Sequence, residues 1–299
     1  MSADDPQVPW TDEQWARVNQ VIQEEANRAR VAATFLPLHG PLPPDTDFVR
    51  RERISYQPWP AGQQPPTNRI AIDDRNIWQL ATLQVRVRVR GAQMADPEMT
   101  SVLALFRRAA NVLARLEDAV SFNGLVRDPA VPGRFAPPAG VASLQRIWEI
   151  TGGEVLRGLL DPANLLVRVG SPRRGNRLVS AVSRAIGNLE ASGHFGPFAV
   201  VLGQALFTIA QTPDPSSLVL PQDRIIPFLS GGSLLRSSTL PTGSGVVVAL
   251  GGAPVELVVA KDMHLQFLQL THEPEFIFRV CEKMVLRVKE PAAIITLGW

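Results

Sequence analysis

The sequence predicts an α+β protein, in which helices and strands follow one another in mixed order. One long amphipathic helix is predicted in the first half of the chain, one alternating strand precedes it, and several apolar strands occupy the last third. No regular βαβ repeat connects them, so a doubly wound parallel sheet is not predicted. At 299 residues, the chain is long enough to bury a large core.

The N-terminal segment predicts an amphipathic helix over residues 9–34. Thr11 is a suitable N-cap, and Gln14 three residues later completes the pattern of a capping box. Five apolar residues then recur at helical spacing on one face: Trp15, Val18, Val21, Ile22 and Ala26. A proline-rich exit follows, with a turn predicted at Gly40-Pro41.

Residues 45–76 show no convincing hydrophobic period. A structureless loop of this length is uncommon inside a compact domain. The segment therefore predicts either disorder or an extended hairpin that reaches a neighbouring subunit. The second alternative would explain an exposed Tyr56 and Trp59.

Residues 80–90 alternate between apolar and polar side chains, which predicts a half-buried strand with a basic outer face. The apolar set is Leu83, Val85, Val87 and Val89, and the polar set is Gln84, Arg86, Arg88 and Arg90. A solvated or salt-bridged outer face is the favoured interpretation. A basic surface that attracts acidic cargo or nucleic acid is the alternative.

The long helix is predicted to begin at Asp96 and to continue to about Phe122. Asp96 is a suitable N-cap, Pro97 suits the first helical position, and Glu98 complements the helix dipole. A continuous apolar stripe runs along this segment, whose length at ~1.5 Å per residue is roughly 36 Å. A helix of this length suits a flat, elongated subunit.

Residues 125–176 are rich in proline and glycine, with a short helical piece predicted at 144–160. A helix over 178–190, a strand at Phe198–Leu202, a helix at 204–211 and a loop at 212–217 follow. The remaining predicted strands are 246–250, 255–260, 276–288 and 292–297.

No catalytic or metal site is predicted. The sequence has no P-loop and no dinucleotide-binding glycine motif, and its four histidines lack ligand spacing. Glu117 and Asp118 are adjacent on the long helix and cannot share one face as an acid–base pair, so a structural role is predicted. Cys281 lies in an alternating strand and is predicted to be a small buried side chain. A nucleophilic role would need a nearby base, which the sequence does not show.

Composition bounds the function further. The net charge of +2 is too weak to predict nucleic-acid binding. A single cysteine suits a reducing compartment, and an acidic, polar N-terminus predicts no signal peptide. No stretch approaches the ~20 apolar residues of a membrane span. A cytoplasmic protein without membrane contact is expected.

Five segments of the chain stand out in order: Thr11–Trp15, Thr34–Pro41, the helix ending in Glu117-Asp118 and Phe122-Asn123-Gly124, Gly196–Val201, and Val259–Met263. Together they resemble segments of the encapsulins, a family of bacterial and archaeal shell proteins. The resemblance implies the major capsid protein fold of tailed phages, of the Hong Kong 97 type.

The resemblance also implies a division of the chain. An N-terminal helix and arm would occupy residues 1–44, and an extended loop 45–76. A peripheral domain with the long helix would occupy 77–124, and an axial domain 125–250. Residues 251–299 would return to the peripheral domain with the C-terminal strands.

By the same resemblance, the function is assembly into an icosahedral container of sixty copies or a multiple. The container would enclose a cargo enzyme, such as a peroxidase or a ferritin-like protein, that docks by a short peptide. The implied peptide-binding residues are Ile22, Ala26, Leu36, Leu38, Asp262, Met263 and Leu265. The implied pore loop is Thr212, Pro213, Asp214, Pro215, Ser216 and Ser217. Some members carry a flavin-associated tryptophan near the position of Arg88. Because this chain has arginine there, no flavin and no other cofactor is predicted.

Two other functions stay open at this stage. A phage or prophage major capsid protein would share the fold, package DNA and turn the arginines of residues 86–90 towards it, although a more basic chain would then be expected. A bacteriocin or protease is the third alternative, and the absence of triad or metal spacing disfavours it.

Overall fold

The computed structural model describes residues 8–58, 68–141, 147–170, 175–213, 219–273 and 275–299. In this part of the chain, two five-stranded sheets are covered by helices. The helices are α1 Asp12–Ala29, α2 Ala32–Phe35, α3 Gly91–Met94, α4 Thr100–Asn123, α5 Gly175–Ala191, α6 Gln204–Ala210 and α7 Pro221–Ile225. None of the described helices is both long enough and apolar enough to span a membrane.

The first sheet has the strand order β1-β12-β13-β6-β7. Its strands are β1 Leu38–His39, β6 Ala81–Arg90, β7 Trp148–Gly152, β12 Val255–Leu270 and β13 Glu275–Val288. The short β1 is parallel to β12, and the other pairs are antiparallel. Helices α1 and α4 pack on this sheet, where the Trp10 ring stacks on Phe278 with centroids 4.9 Å apart.

The second sheet has the order β10-β9-β11-β14-β8. Its strands are β8 Leu165–Arg168, β9 Phe198–Leu202, β10 Leu234–Arg236, β11 Gly245–Ala249 and β14 Ile294–Gly298. Val200 and Val247 face a core under α5, whereas Val201 and Val246 face the core of the first sheet. Both faces of the second sheet are therefore buried, and its central strands are continuously apolar.

A long hairpin leaves the first sheet between α2 and β6. Strands β2 Phe48–Arg50 and β5 Ile77–Gln79 form its base, and β3 Arg53–Pro58 and β4 Asn68–Asp73 form its arm. The exposed fractions of Ile70 and Ile72 are 71% and 59%. None of the arm side chains whose burial is described is buried, which explains why the sequence of this segment shows no alternation.

Several sequence predictions are confirmed. Thr11 and Gln14 form the reciprocal capping box of α1. Strand β6 buries its valines and exposes Arg86, Arg88 and Arg90. The hairpin alternative for residues 45–76 is also correct in the described part, whereas Trp59 lies outside the described residues.

Four local predictions are wrong. The helix predicted over 9–34 is interrupted at Arg30, whose extended backbone (ψ 137°) separates α1 from α2. Gln84, predicted on the outer face of β6, is buried, because it forms hydrogen bonds with Glu149 and Arg279.

Helix α4 begins at Thr100, four residues after the predicted cap, because Met99 adopts a left-handed conformation (φ 53°) and breaks the helical path. Asp96 instead accepts hydrogen bonds from the backbone N–H groups of Glu98 and Thr100. The helix predicted at 144–160 is replaced by β7 and an irregular segment, since Trp148–Gly152 pairs with β6; residues 142–146 lie outside the described residues.

Two strands belong to sheets that the sequence-based division of the chain does not assign to them. Strand β7 lies between predicted axial-domain boundaries yet belongs to the first sheet. Strand β14 belongs to the second sheet, where it lies between β11 and β8. The division at residue 250 therefore does not coincide with the two sheets.

The exit of α4 is shaped by one glycine. Gly124 has φ +79°, a region that L side chains rarely adopt. A Cβ atom there would lie 2.0 Å from the carbonyl oxygen of Leu156. This close approach joins the end of α4 to the Leu156 segment, where backbone hydrogen bonds link Leu125 and Leu156 in both directions.

Candidate docking groove and the charge cluster beneath it

Arg30, the residue after α1, is the centre of a buried charge cluster. Its Nε lies 2.6 Å from Oε2 of Glu117, and its Nη2 lies 2.7 Å from Oδ1 of Asp262 and 3.0 Å from Oε1 of Glu282. Arg30, Glu117 and Glu282 are buried, whereas the Asp262 side chain is half exposed. One guanidinium thus connects the end of α1 with α4, β12 and β13.

The cluster contains more acid than base. Burial raises the pKa of Glu282 well above its usual range, and the nearby Glu117 carboxylate raises it further. Burial also raises the pKa of Glu117, to about 7, although Arg30 opposes this shift. Burial alone would lower the pKa of Arg30, but the carboxylates around it outweigh burial and raise it. Arg30 therefore stays charged, and its surroundings favour the protonated form of Glu282.

Asp118 has a separate structural task. Its carboxylate accepts hydrogen bonds from the backbone N–H groups of Val31 and Ala32, at 2.7 to 3.1 Å, and so caps the start of α2. Burial raises the pKa of Asp118 to about 7, against the effect of these backbone donors. Glu117 thus pairs with Arg30, whereas Asp118 binds the backbone at the start of α2. These contacts agree with the structural role predicted for both residues.

A groove of ≈320 Å³ opens above the cluster, between the α1–α2 segment and the β1 edge of the first sheet. Leu38 on β1, which lines this groove, is 60% exposed. The groove is lined by Asn27, Arg30, Ala33, Thr34, Leu38, Pro41, Leu257, Val259, Asp262 and Glu282. Apolar walls and a charged floor are thereby combined in one concave site.

The structure separates the seven residues implied for peptide binding. Leu38 and Asp262 line the groove, and Leu265 is partly buried further along β12. The remaining four are core residues with at most 4% exposure: Ile22, Ala26, Leu36 and Met263. Because they are buried, these four side chains offer a ligand no surface in the single chain.

Other lining residues were missed by sequence reasoning. Leu257 and Val259 belong to a continuous apolar run, which does not reveal which side chains border an opening. Arg30 carries no sequence signal of burial, because its acidic partners Glu117, Asp262 and Glu282 are 87 to 252 residues distant in the chain. The groove results from tertiary packing and not from a local motif.

The implied pore loop is described only in part. Thr212 and Pro213 follow α6, and the Thr212 hydroxyl donates a hydrogen bond of 2.8 Å to the carbonyl of Thr208. Asp214, Pro215, Ser216 and Ser217 lie outside the described residues.

Cys281 is buried, as predicted, but a base does lie beside it. Its Sγ is 3.3 Å from Nε2 of His264, whose Nδ1 is 2.8 Å from the carbonyl oxygen of Asp262. Burial raises the pKa of Cys281 and lowers the pKa of His264 to about 4. The pair is consequently neutral at physiological pH, which is unsuited to a nucleophilic thiolate.

The basic face of β6 is salt-bridged. Arg86 lies 3.3 Å from Glu149, and Arg88 lies 3.3 Å from Glu275. This arrangement supports the favoured interpretation of the face over an unneutralised surface for nucleic acid.

Comparison with known families decides the identity of the chain. The family model described as the encapsulating protein for peroxidase (Linocin_M18) matches residues 3–133 and 147–285. The chain belongs to this encapsulin family. Encapsulins are shell proteins and not enzymes, so this chain is a structural protein that self-assembles into a shell.

Two curated relatives are similar over nearly the whole encapsulin chain. The type 1 encapsulin shell protein EncA of Myxococcus xanthus is 27% identical over 97% of this chain and 93% of that protein. A diheme-cytochrome-encapsulin shell fusion protein of Kuenenia stuttgartiensis is 23% identical over 95% of this chain and 72% of that protein.

Solved structures show the capsid fold. A virus-like particle from Pyrococcus furiosus superposes with a TM-score of 0.62 at 14% identity, over 96% of this chain and all of that chain. A structure from Mycobacterium phage Ogopogo superposes with a TM-score of 0.59 at 13% identity, over 90% of this chain and 92% of that chain. The predicted α+β fold of the Hong Kong 97 type is confirmed, and the family match favours the encapsulin over the phage capsid alternative.

Proposed function

We propose that the shell encloses a cargo enzyme, which docks by a short peptide in the groove beside β1. The observation that carries this proposal is the combination of an exposed Leu38 with a concave, mainly apolar groove. Short peptides are commonly bound by placing apolar side chains in such grooves.

The backbone supports the same site. Strand β1 is the edge of the first sheet and pairs with β12 on one side only. An edge strand offers unpaired N–H and C=O groups to an extended peptide. Asp262 adds a half-exposed carboxylate, whose Oδ1 is held by Arg30 and by the backbone N–H of Met263.

The test uses a reporter cargo. A protein that copurifies with the shell is identified, and its C-terminal tail is fused to a fluorescent protein. Leu38→Lys should lower the number of fluorescent proteins per shell by about tenfold, because a buried apolar contact is replaced by a charge. Val126→Lys is the matched control, since Val126 is also exposed (61%) but does not line the groove. Equal loading of the two variants, with intact shells, would exclude the groove.

The cargo is proposed to be an enzyme of oxidative stress or iron metabolism. The family description refers to peroxidase, and the Kuenenia stuttgartiensis relative is fused to a diheme cytochrome. Shells purified with their cargo should then show a haem band near 400 nm or bound iron. Shells whose cargo lacks both would refute the cargo class and leave the docking groove unaffected.

The assembled arrangement is proposed from the same fold. The hairpin arm β3–β4 would lie on a neighbouring subunit, and residues 125–250 would gather around the symmetry axes of the shell. The shell itself would be located in the bacterial cytoplasm. The 212–217 segment would line a pore for small substrates. Electron microscopy of purified shells tests this arrangement, and the expected result is an icosahedral shell of sixty copies or a multiple.

A further inference from the structure

A second cavity, distinct from the docking groove, lies where the hairpin base meets the two sheets. Its volume is ≈520 Å³, within the range of small-molecule sites. The hairpin contributes Trp78 from its base, Arg53 from the start of its arm, and Arg51 from the segment between them. The segment 155–164 and residues 286–294 form the opposite wall.

The lining of this cavity is rich in positive charge. Arg51, Arg53 and Arg157 face it, and Asp161 is the one acidic residue among the described lining residues. Asp161 is engaged by Arg157 at 3.3 Å. Arg53 forms no ion pair with any residue in the described part of the chain. A surplus of two positive charges therefore borders the cavity.

The neighbouring acid does not neutralise this surplus. Glu52 lies between the two arginines, but it has a left-handed backbone (φ 51°), and its Oε2 lies 3.2 Å from Nη1 of the buried Arg287. Glu52 is absent from the cavity lining, and its carboxylate is committed to Arg287. A second acid, Asp73, lies opposite Arg53 in the β3–β4 pair and interacts electrostatically with Arg51, but it is also absent from the lining. The residues that line the cavity therefore keep a surplus of two positive charges.

The rest of the wall is mainly aliphatic. The Arg51 guanidinium lies 4.5 Å from the centroid of the Trp78 ring and covers one of its faces. The aliphatic residues are Val155, Leu156, Ala163, Leu286, Val288, Pro291 and Ile294. A ligand that satisfies both parts of the wall has an anionic head and an aliphatic body.

We propose that this cavity binds a small amphiphilic anion, with its carboxylate or phosphate head at Arg51 and Arg53 and its aliphatic chain against β13 and the start of β14. A charged head paired with guanidinium groups supplies directional, charge-assisted hydrogen bonds. The aliphatic chain supplies apolar burial.

The experiment is calorimetric titration of assembled, purified shells with octanoate. Acetate carries the head without the chain, and octanol carries the chain without the charge, so both should bind at least about tenfold more weakly. Arg53→Gln should weaken octanoate binding by a similar factor and reduce its salt dependence. Arg107→Gln is the matched control, because Arg107 is exposed on α4 and does not line the cavity.

A second variant tests the aliphatic wall. Val155→Ser should weaken the binding of octanoate more than that of butyrate, whose chain is shorter. The proposal is overturned if octanoate does not bind assembled shells, as would happen if a neighbouring subunit filled the cavity. Equal affinity of wild type and Arg53→Gln would also overturn it. Octyl phosphate in place of octanoate distinguishes the two head groups.

Discussion

Single side chains decide how the N-terminal helix is fastened to the rest of the subunit. Arg30 and Asp118 act on the same short stretch of chain, Arg30 through its guanidinium and Asp118 through the backbone of Val31 and Ala32. Both use buried charge, which contributes stability only while every partner is present. Loss of one partner should therefore be far more costly than loss of an exposed ion pair.

Asp118→Ala tests the cap of α2. The substitution leaves the N–H groups of Val31 and Ala32 without their acceptor in a buried site, at a cost of roughly 1–3 kcal/mol. We expect a lower denaturant midpoint, measured by tryptophan fluorescence. Asp128→Asn, which changes a carboxylate in a surface loop, is the control. It should change the free energy of unfolding by less than about 0.5 kcal/mol. An unchanged midpoint for Asp118→Ala would contradict the capping role.

The carboxyl groups around Arg30 predict a pH dependence with a definite sign. Glu282 and Glu117 have raised pKa values in the folded chain, so the folded state binds more protons than the unfolded state above pH ~4.5. Stability should then fall as the pH rises from about 5 to 8, by up to about 1.4 kcal/mol per pH unit for each proton.

Glu282→Gln should flatten this pH dependence and should raise stability at pH 8 relative to wild type, because glutamine is neutral without a bound proton. The measurement is the denaturant midpoint as a function of pH. Glu13→Gln, at an exposed position of α1, should leave the slope unchanged. A wild-type slope retained in Glu282→Gln would show that the proton resides elsewhere.

Among the secondary-structure elements, those with one buried face were predictable from sequence, and those without such a face were not. Strand β6 alternates because one side faces α4, and α1 shows its capping box directly. Strands β3 and β4 show no period, since none of the arm side chains whose burial is described is buried in the single chain. Strand β7 was missed because its pairing with β6 is set by residues more than 60 positions away.

Gly124→Ala tests the junction at the end of α4. The added Cβ would meet the Leu156 carbonyl at 2.0 Å, and the backbone there is left-handed, so a loss of several kcal/mol is expected. Gly187→Ala is the matched control in α5, where a Cβ meets nothing within 4 Å. It should be neutral or more stable by up to about 1 kcal/mol. Thermal unfolding of both variants makes the comparison, and equal transitions would contradict the close approach.

At the scale of the whole molecule, the family match and the capsid fold establish a subunit that works only in many copies. The sequence predicted this function through resemblance, but it could not locate the docking groove or the second cavity. Both are assembled from distant segments whose side chains carry no shared pattern. Of the implied peptide-binding residues, the accessible ones could not be told from the core ones before burial was known.

Substitution of the exposed apolar side chains of the hairpin arm should reduce the assembly of shells. The double substitution Ile70→Lys and Ile72→Lys places two charges where large apolar side chains are now exposed. We expect a folded subunit with a nearly wild-type circular dichroism spectrum and at least about tenfold fewer shells by light scattering, because charges disfavour apolar contacts between copies. Val131→Lys, on a surface loop, is the control. Normal yields of shells from the double variant would exclude the arm from the contacts between subunits.

The position of β14 has a consequence for the order of events during synthesis. Strand β8 pairs only with β14 among the described strands, although some 130 positions separate them (Ile295 opposite Leu165). A growing chain must therefore carry β8 unpaired until residues 294–298 have left the ribosome. Until then the second sheet has a gap beside β11, and the core under α5 lacks Ile295 and Leu297. Completion of this sheet is therefore a late event in the folding of the subunit.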